Sequence, residues 1–231
     1  MKKLLLRFCQ FPAVARFLTL WALRGHNFSY RVAGRFSPVL EPDGVHPKHR
    51  LMRYHDWFTE RLMPAWHVLD VGCGNGALAV DLKAVCCSVV AIDINPANIA
   101  KAQKKFAGEG ISYLCGDATT YRFERGFDAI VLSNVLEHID GRVEFLRRLL
   151  AIHHGAGTSP VLLIRVPLLT RDWITLYKQE RGVEWRLDAT HCIEYREEDF
   201  FAEMAAAGLR VTEYRVSFGE LYAVAVREMS V

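Results

Sequence analysis

A chain of 231 residues that is 51% apolar and 24% charged carries enough material for one complete hydrophobic core and an appendage. Its formal net charge of +3 is too small to point to nucleic acid as a partner. Six cysteines (Cys9, Cys73, Cys86, Cys87, Cys115 and Cys192) form no C-x-x-C pair, which argues against a zinc site or a disulfide scaffold. They read as reduced core thiols of a cytoplasmic protein.

Residues 1–23 are apolar and basic, but Arg7, Pro12 and Arg16 interrupt them, and no run approaches the roughly 20 residues of a membrane span. The same arginines divide the apolar region that a signal peptide would need. After Pro12, Val14, Phe17, Leu18 and Trp21 fall on one helical face, with Arg16 and Arg24 off it. A helix is expected there, packed on the domain or capping the pocket, or else laid against the inner face of a membrane as a peripheral contact. Residues 25–46 hold glycines, prolines and few periodic apolar residues, so they predict a linker or flexible lid. The expected division is therefore an amino-terminal helical extension over 1–46 and a domain over 47–231. Pro47 to Leu62 reads as a helix with Leu51, Tyr54, Phe58 and Leu62 as its buried stripe.

Residues 68–76 read Val-Leu-Asp-Val-Gly-Cys-Gly-Asn-Gly, an apolar strand that breaks into alternating glycines. Glycine there permits φ values closed to other residues and lets a ligand lie against the backbone. A helix near 76–86 follows, then a second apolar strand that ends on Asp93, seventeen positions after Gly76. An acid at the tip of the second strand suits the two hydroxyls of a ribose. Gly72, Gly74 and Ala77 satisfy the looser dinucleotide pattern G-x-G-x-x-A, but a lone match of that kind is weak. Asp70, two residues before the first glycine, would repel a pyrophosphate and welcome an ammonium group. Gly76 also comes one residue early for a dinucleotide site.

A helix near 96–107 leads to a third strand, Ile111 to Cys115, which closes on Gly116-Asp117-Ala118. A fourth strand over 127–133 runs into Ser133-Asn134-Val-Leu-Glu137-His138, followed by a helix near 140–153 and a fifth strand over 161–166. A helix over 197–207, ended by Gly208, precedes two strands, 210–217 and 221–227, joined at Phe218-Gly219-Glu220 as in a hairpin. Taken in order, these segments resemble the motifs of the class I S-adenosylmethionine-dependent methyltransferases over roughly residues 47–227. The resemblance implies an α/β, Rossmann-like sheet of seven strands with helices on both faces, the last strand antiparallel, and the ligand at the carboxyl ends of strands one and four. It implies S-adenosyl-L-methionine as cofactor, held by Asp70, Gly72, Cys73, Gly74, Asn75, Gly76, Asp93, Ile94, Asp117, Ala118, Ser133 and Asn134. Within that set Asp93 would take the ribose and Asp117 the adenine amino group. Arg53 is a candidate for the methionine carboxylate, while His46, His49 and His55 either face the cofactor or, as expected, lie at the surface.

The interval 168–195 is long for a connection between a strand and its helix, and long connections usually have a task. Trp173, Tyr177 and Trp185 suit stacking on an acceptor, and Arg171, Arg181 and Arg186 suit an anion; equally, these residues fold the insert on itself. Removing a proton from a hydroxyl acceptor calls for a group that titrates near neutrality, and His138 and His191 are the candidates. Glu137, His138 and His191 are also divalent-metal ligand types. Metal-using relatives carry a further glutamate at the place of Asn134, so no metal is expected.

Absences narrow the acceptor. No Asp/Asn-Pro-Pro-Tyr/Phe follows the fourth strand, unlike enzymes acting on nucleobase amines, and the domain over 47–231 has no basic stripe with interleaved aromatics. None of the eight tyrosines has a lysine four residues on, which excludes a short-chain oxidoreductase. What remains is methyl transfer to a small-molecule, glycan or lipid-linked acceptor, at oxygen ahead of nitrogen. The alternative is a member of the fold that binds cofactor or a partner without turnover.

Overall fold

The structure is a computed structural model, and it describes residues 11–42, 44–106, 108, 110–152 and 158–228. Cys9 and Arg7, singled out above, lie outside the described residues. The chain divides into two compact units, one made of the residues up to Met52 with Asp172–Ala189, the other of Arg53–Arg171 with Thr190–Val231.

The larger unit is a sheet of seven strands in the order β3-β2-β1-β4-β5-β7-β6. The strands are β1 (His67–Val71), β2 (Ser88–Asp93), β3 (Ile111–Cys115), β4 (Ala129–Ser133), β5 (Val161–Pro167), β6 (Leu209–Ser217) and β7 (Glu220–Arg227). The first five pair in parallel, and β7 runs antiparallel between β5 and β6. Strands β1, β2, β4 and β5 are near-continuous apolar runs because both faces of a parallel sheet are covered. The hairpin expected at 218–219 is present, with positive φ at both Phe218 and Gly219, the backbone of a two-residue type I′ turn. The outer strand β6 is mostly exposed and carries charged residues and a bulge between Val211 and Glu213, which blunt an edge against further pairing.

Alternation along the strands sends Leu69, Ile130, Leu132 and Ile164 to one face. There they pack with Phe145, Leu146 and Leu149 of one helix (Arg142–Leu150) and Phe200 and Met204 of another (Glu197–Ala206). The register places Asp70, Val131 and Leu163 on the opposite face. That face carries the helix Tyr54–Thr59, whose Trp57 ring lies 5.3 Å from Tyr222 and whose Tyr54 ring lies under Arg165.

The helix expected over 47–62 is broken into Lys48–Met52 and Tyr54–Thr59. Arg53 between them adopts a left-handed conformation (φ 49°), so the apolar stripe does not continue: Leu51 is exposed while Trp57 and Phe58 are buried. Three of the five described cysteines (Cys87, Cys115 and Cys192) are exposed, which corrects their reading as core thiols; only Cys73 and Cys86 are buried. They occupy strand ends and turns where the alternate side faces solvent.

In the smaller unit, the linker or lid expected over 25–46 is mostly helix. A single helix of 25 residues, α1 (Pro12–Phe36), continues through Gly25 and Gly34 into a 3-10 turn at Ser37–Leu40. Each lone glycine costs about 1 kcal/mol, which a helix of this length absorbs, and Phe28, Val32 and Phe36 extend the apolar spacing. The insert adds a short helix, Trp173–Glu180, capped by the Asp172 carboxylate on the Thr175 amide. Asn27 of α1 donates to the Glu184 carbonyl at 2.6 Å, and Lys178 meets His26 at 3.0 Å.

Candidate functional site

The turn after β1 is a backbone cradle. Gly72, Gly74 and Gly76 all have positive φ. A Cβ at Gly72 would come within 2.7 Å of the Val135 side chain, whereas one at Gly74 would meet nothing within 4 Å. The first glycine is therefore required by packing, and the second leaves open space above the chain for a ligand.

Two acids frame this cradle. Asp93, at the tip of β2, accepts from the Gly74 amide at 2.8 Å and the Asn95 amide at 2.8 Å, so it clamps the glycine turn to the next loop. Asp70 is 1% exposed, and its Oδ2 has no hydrogen-bond partner among the described residues. Burial, with the Asp93 charge adding to it, pushes its carboxyl up to about 8. A buried acid lacking a partner at the mouth of an open turn is a complement for a cation. Ile94 stands out as a large apolar side chain exposed at the edge of β2. Asp117 is exposed after β3 and accepts from the Thr119 amide and hydroxyl, with Ala118 packed against the core. Asn75 is exposed and Cys73 buried, its thiol pushed up by burial.

At the ends of β4 and β5 lies a second group. Ser133 is paired across the sheet with Arg165, and Asn134 has a left-handed backbone (φ 56°). The Asn134 side-chain oxygen Oδ1 accepts from Arg165 Nε at 3.1 Å, and its Nδ2 donates to Glu220 Oε1 at 3.4 Å. Arg165 and Glu220 form an ion pair at 3.0 Å, with the guanidinium 3% exposed. Bonded to both members of this pair, Asn134 is held in its left-handed bend, which aims the following turn.

That turn carries Glu137 and His138. Glu137 is fully buried, neither carboxylate oxygen has a hydrogen-bond partner among the described residues, and burial pushes it up to about 7. Its carbonyl accepts from the Cys192 amide at 2.7 Å, which ties the end of the insert beside it. The two expected histidines are thereby brought together: the His138 and His191 rings lie edge to face with centroids 4.7 Å apart. His138 Nδ1 meets the Thr190 hydroxyl at 3.0 Å, and His191 Nδ1 meets Glu194 at 3.2 Å. Glu194 is also paired with Arg171. Ligand atoms of Glu137, His138 and His191 all lie within 4.8 Å of one another, a spacing that could hold a metal ion.

Sequence reasoning missed Glu194, Arg165 and Glu220. Only Glu194 left a signal, its position three residues after His191. The Arg53 candidate is turned instead to Asp56 at 2.6 Å, and His55, expected at the surface, is half-buried against Asp81. In the insert, Arg181 lies over Tyr177, Arg186 chelates Glu184, which it pulls down to about 2, and Arg171 is spent on Glu194. Those cations are already engaged within the chain.

The family model of a methyltransferase domain matches residues 68–156. An uncharacterized methyltransferase of Mycobacterium bovis is 38% identical over 103 residues, covering 44% of this chain and 52% of that one. A ubiquinone biosynthesis O-methyltransferase of Azorhizobium caulinodans is 30% identical over 169 residues, covering 69% of this chain and 64% of its own. The chain thus spans about half to two thirds of the length of these relatives. Among solved structures, a magnesium protoporphyrin IX methyltransferase from Synechocystis with bound SAH superposes with a TM-score of 0.60 at 17% identity, over 78% of this chain and 83% of that one. An S-adenosylmethionine-dependent methyltransferase from Clostridium acetobutylicum gives 0.60 at 14% identity, over 87% and 99%. The sheet order, the glycine turn with its two acids and these likenesses converge: residues 68–156 match a methyltransferase domain, and the fold is that of the class I S-adenosylmethionine-dependent methyltransferases.

Proposed function

We propose that the chain is an S-adenosylmethionine-dependent methyltransferase that methylates a small-molecule, sugar or lipid-linked acceptor at oxygen. The observation that carries this reading is the buried Asp70 carboxylate, short of a partner, beside a glycine turn open to a ligand. An amino-acid ammonium satisfies such a group and favours its charged form, which a pyrophosphate opposes. Asp93, Ile94, Asp117 and Ala118 would hold the ribose and adenine, with Ser133 and Asn134 on the floor toward the acceptor.

When bound, S-adenosylmethionine supplies a methyl group on a positively charged sulfur. The chain's own task is then alignment and proton removal. Alignment contributes roughly 7–11 kcal/mol in the best intramolecular models. His191, its ring held through Nδ1 by Glu194, is the proposed base, and His138 the proposed orienting group. Positioned proton removal adds about 10²–10⁴ in rate. A paired imidazole suits a hydroxyl acceptor, and the Azorhizobium relative is named as an O-methyltransferase. Free thiols at all five described cysteines agree with a cytoplasmic setting.

A second reading of the same group rests on Glu137. Its unpartnered oxygens beside the two histidines would fit a divalent cation that lowers the acceptor's pKa. The two readings separate on treatment with a chelator: loss of turnover restored by added magnesium or manganese supports the cation, and unchanged turnover supports the histidine base. The proposal as a whole is tested by calorimetry with S-adenosylmethionine and its demethylated product, followed by an acceptor screen read by mass shift. Absence of saturable binding would sink it, and binding without any methylated product would favour a non-catalytic role.

A further inference from the structure

Helix α1 presents an apolar face that nothing in its own unit covers. At 100° per residue, Phe17, Leu18, Trp21, Phe28, Val32 and Phe36 fall within an arc of about 100°. All six are exposed; Phe17 and Trp21 are each 68% exposed and Phe28 66%. The opposite side of the helix is the one engaged, through buried Leu23 and the hydrogen bond from Asn27 to the insert. The aromatic stripe therefore faces away from the contacts that seat the helix.

Charge identifies what such a face fits. Arg24, Arg31 and Arg35 lie along one flank of the stripe, and no acidic residue occurs anywhere in α1. Of the chain's 29 Lys and Arg and 26 Asp and Glu, the first 40 residues hold seven basic and no acidic residues. The overall charge of +3 thus divides into +7 there and −4 in the rest. No described helix is long and apolar enough to cross a membrane. A second copy of the chain would set arginines against arginines.

We propose that α1 is an interfacial helix that docks the protein on an anionic phospholipid bilayer, its aromatic stripe among the acyl chains and its arginines at the headgroups. A helix of 25 residues, about 37 Å long, lies flat along the surface in this arrangement. The inference is independent of the methyl-transfer reading.

The test is co-sedimentation of the full chain with vesicles of phosphatidylcholine alone or mixed with phosphatidylglycerol. Binding is expected only to the anionic vesicles and should weaken as ionic strength rises. Arg24→Gln/Arg31→Gln/Arg35→Gln should lower affinity by about fivefold per arginine. Phe17→Ser/Trp21→Ser/Phe28→Ser should abolish binding while leaving far-ultraviolet circular dichroism and S-adenosylmethionine binding as in the parent. Equal binding to both vesicle types, no binding at low salt, or full binding by either triple variant overturns the proposal. So does a dimer by light scattering that the aromatic variant converts to monomer, since the face would then be covered by a second copy.

Discussion

The edge of the sheet formed by β1, β2 and β3 and the edge formed by β4, β5 and β7 solve different problems by different means. On the first edge, the acids are met by backbone amides at most 19 positions away in sequence: Asp93 by those of Gly74 and Asn95, Asp117 by that of Thr119. On the second, the bonds join side chains far apart in sequence: Asn134 to Glu220 across 86 positions, His138 to Thr190 across 52. A ligand that is the same throughout a family can be read by backbone and one or two acids. An acceptor that differs from member to member is met by side chains that separate segments bring together.

The sharpest way to break this contrast is to ask whether turnover and cofactor affinity separate. His191→Ala should lower turnover by about 10²–10⁴ while leaving S-adenosylmethionine affinity unchanged by calorimetry. An equal loss of affinity would mean that the two edges are not distinct. Asp93→Ala should weaken cofactor binding by about 100-fold, because the glycine turn and the loop after β2 each lose a charge-assisted anchor and the ribose loses its acceptor. Parent-like affinity would remove the ribose assignment. Glu194→Gln should lower turnover by about tenfold and shift its pH profile, with affinity intact, because the carboxylate orients His191; an unchanged profile would confine Glu194 to a structural role.

Asp70 gives the finest test, through stability. Burial raises its carboxyl from the ordinary 3.8 to about 8, so between those values the folded chain keeps a proton that the unfolded chain releases. This contribution is whole below about pH 4 and is lost as pH climbs through about 8. Asp70→Asn cannot ionise, so its thermal midpoint should exceed the parent's by about 5 °C above pH 8 and converge with it near pH 4. Parallel curves for parent and variant would show that Asp70 is not buried in this way. The same variant should lose cofactor affinity, since its carbonyl oxygen carries no charge for an ammonium.

Much of the sheet is legible without coordinates because a parallel strand covered on both faces must be a near-continuous apolar run. Val68 to Val71, Ser88 to Asp93 and Val161 to Val166 announce themselves in that way. The hairpin is legible from Phe218-Gly219-Glu220 between two alternating runs, whereas the positive φ at Phe218 is set by the turn and not by that residue's own preference. The helices on either side of Arg53 were read as one because apolar spacing records which face is buried, not whether the axis continues. Residues 25–46 misled for the opposite reason: single glycines and a helix whose apolar side stays exposed look like a linker when the stripe is expected to be buried. His138 and His191 could be named from sequence, but their 4.7 Å approach could not.

By itself, then, the amino-acid order determined the strand ladder, the glycine turn and the two acids at its rim, because each depends on local backbone geometry and on neighbours within one βα unit. The buried Arg165–Glu220 pair, the left-handed bend it holds at Asn134 and the seating of Glu194 behind His191 were decided only in the tertiary structure. Each joins groups whose pairing is favourable only once both have been withdrawn from water. A charge pays for that withdrawal when its partner arrives from elsewhere in the chain, and no local pattern records where the partner comes from.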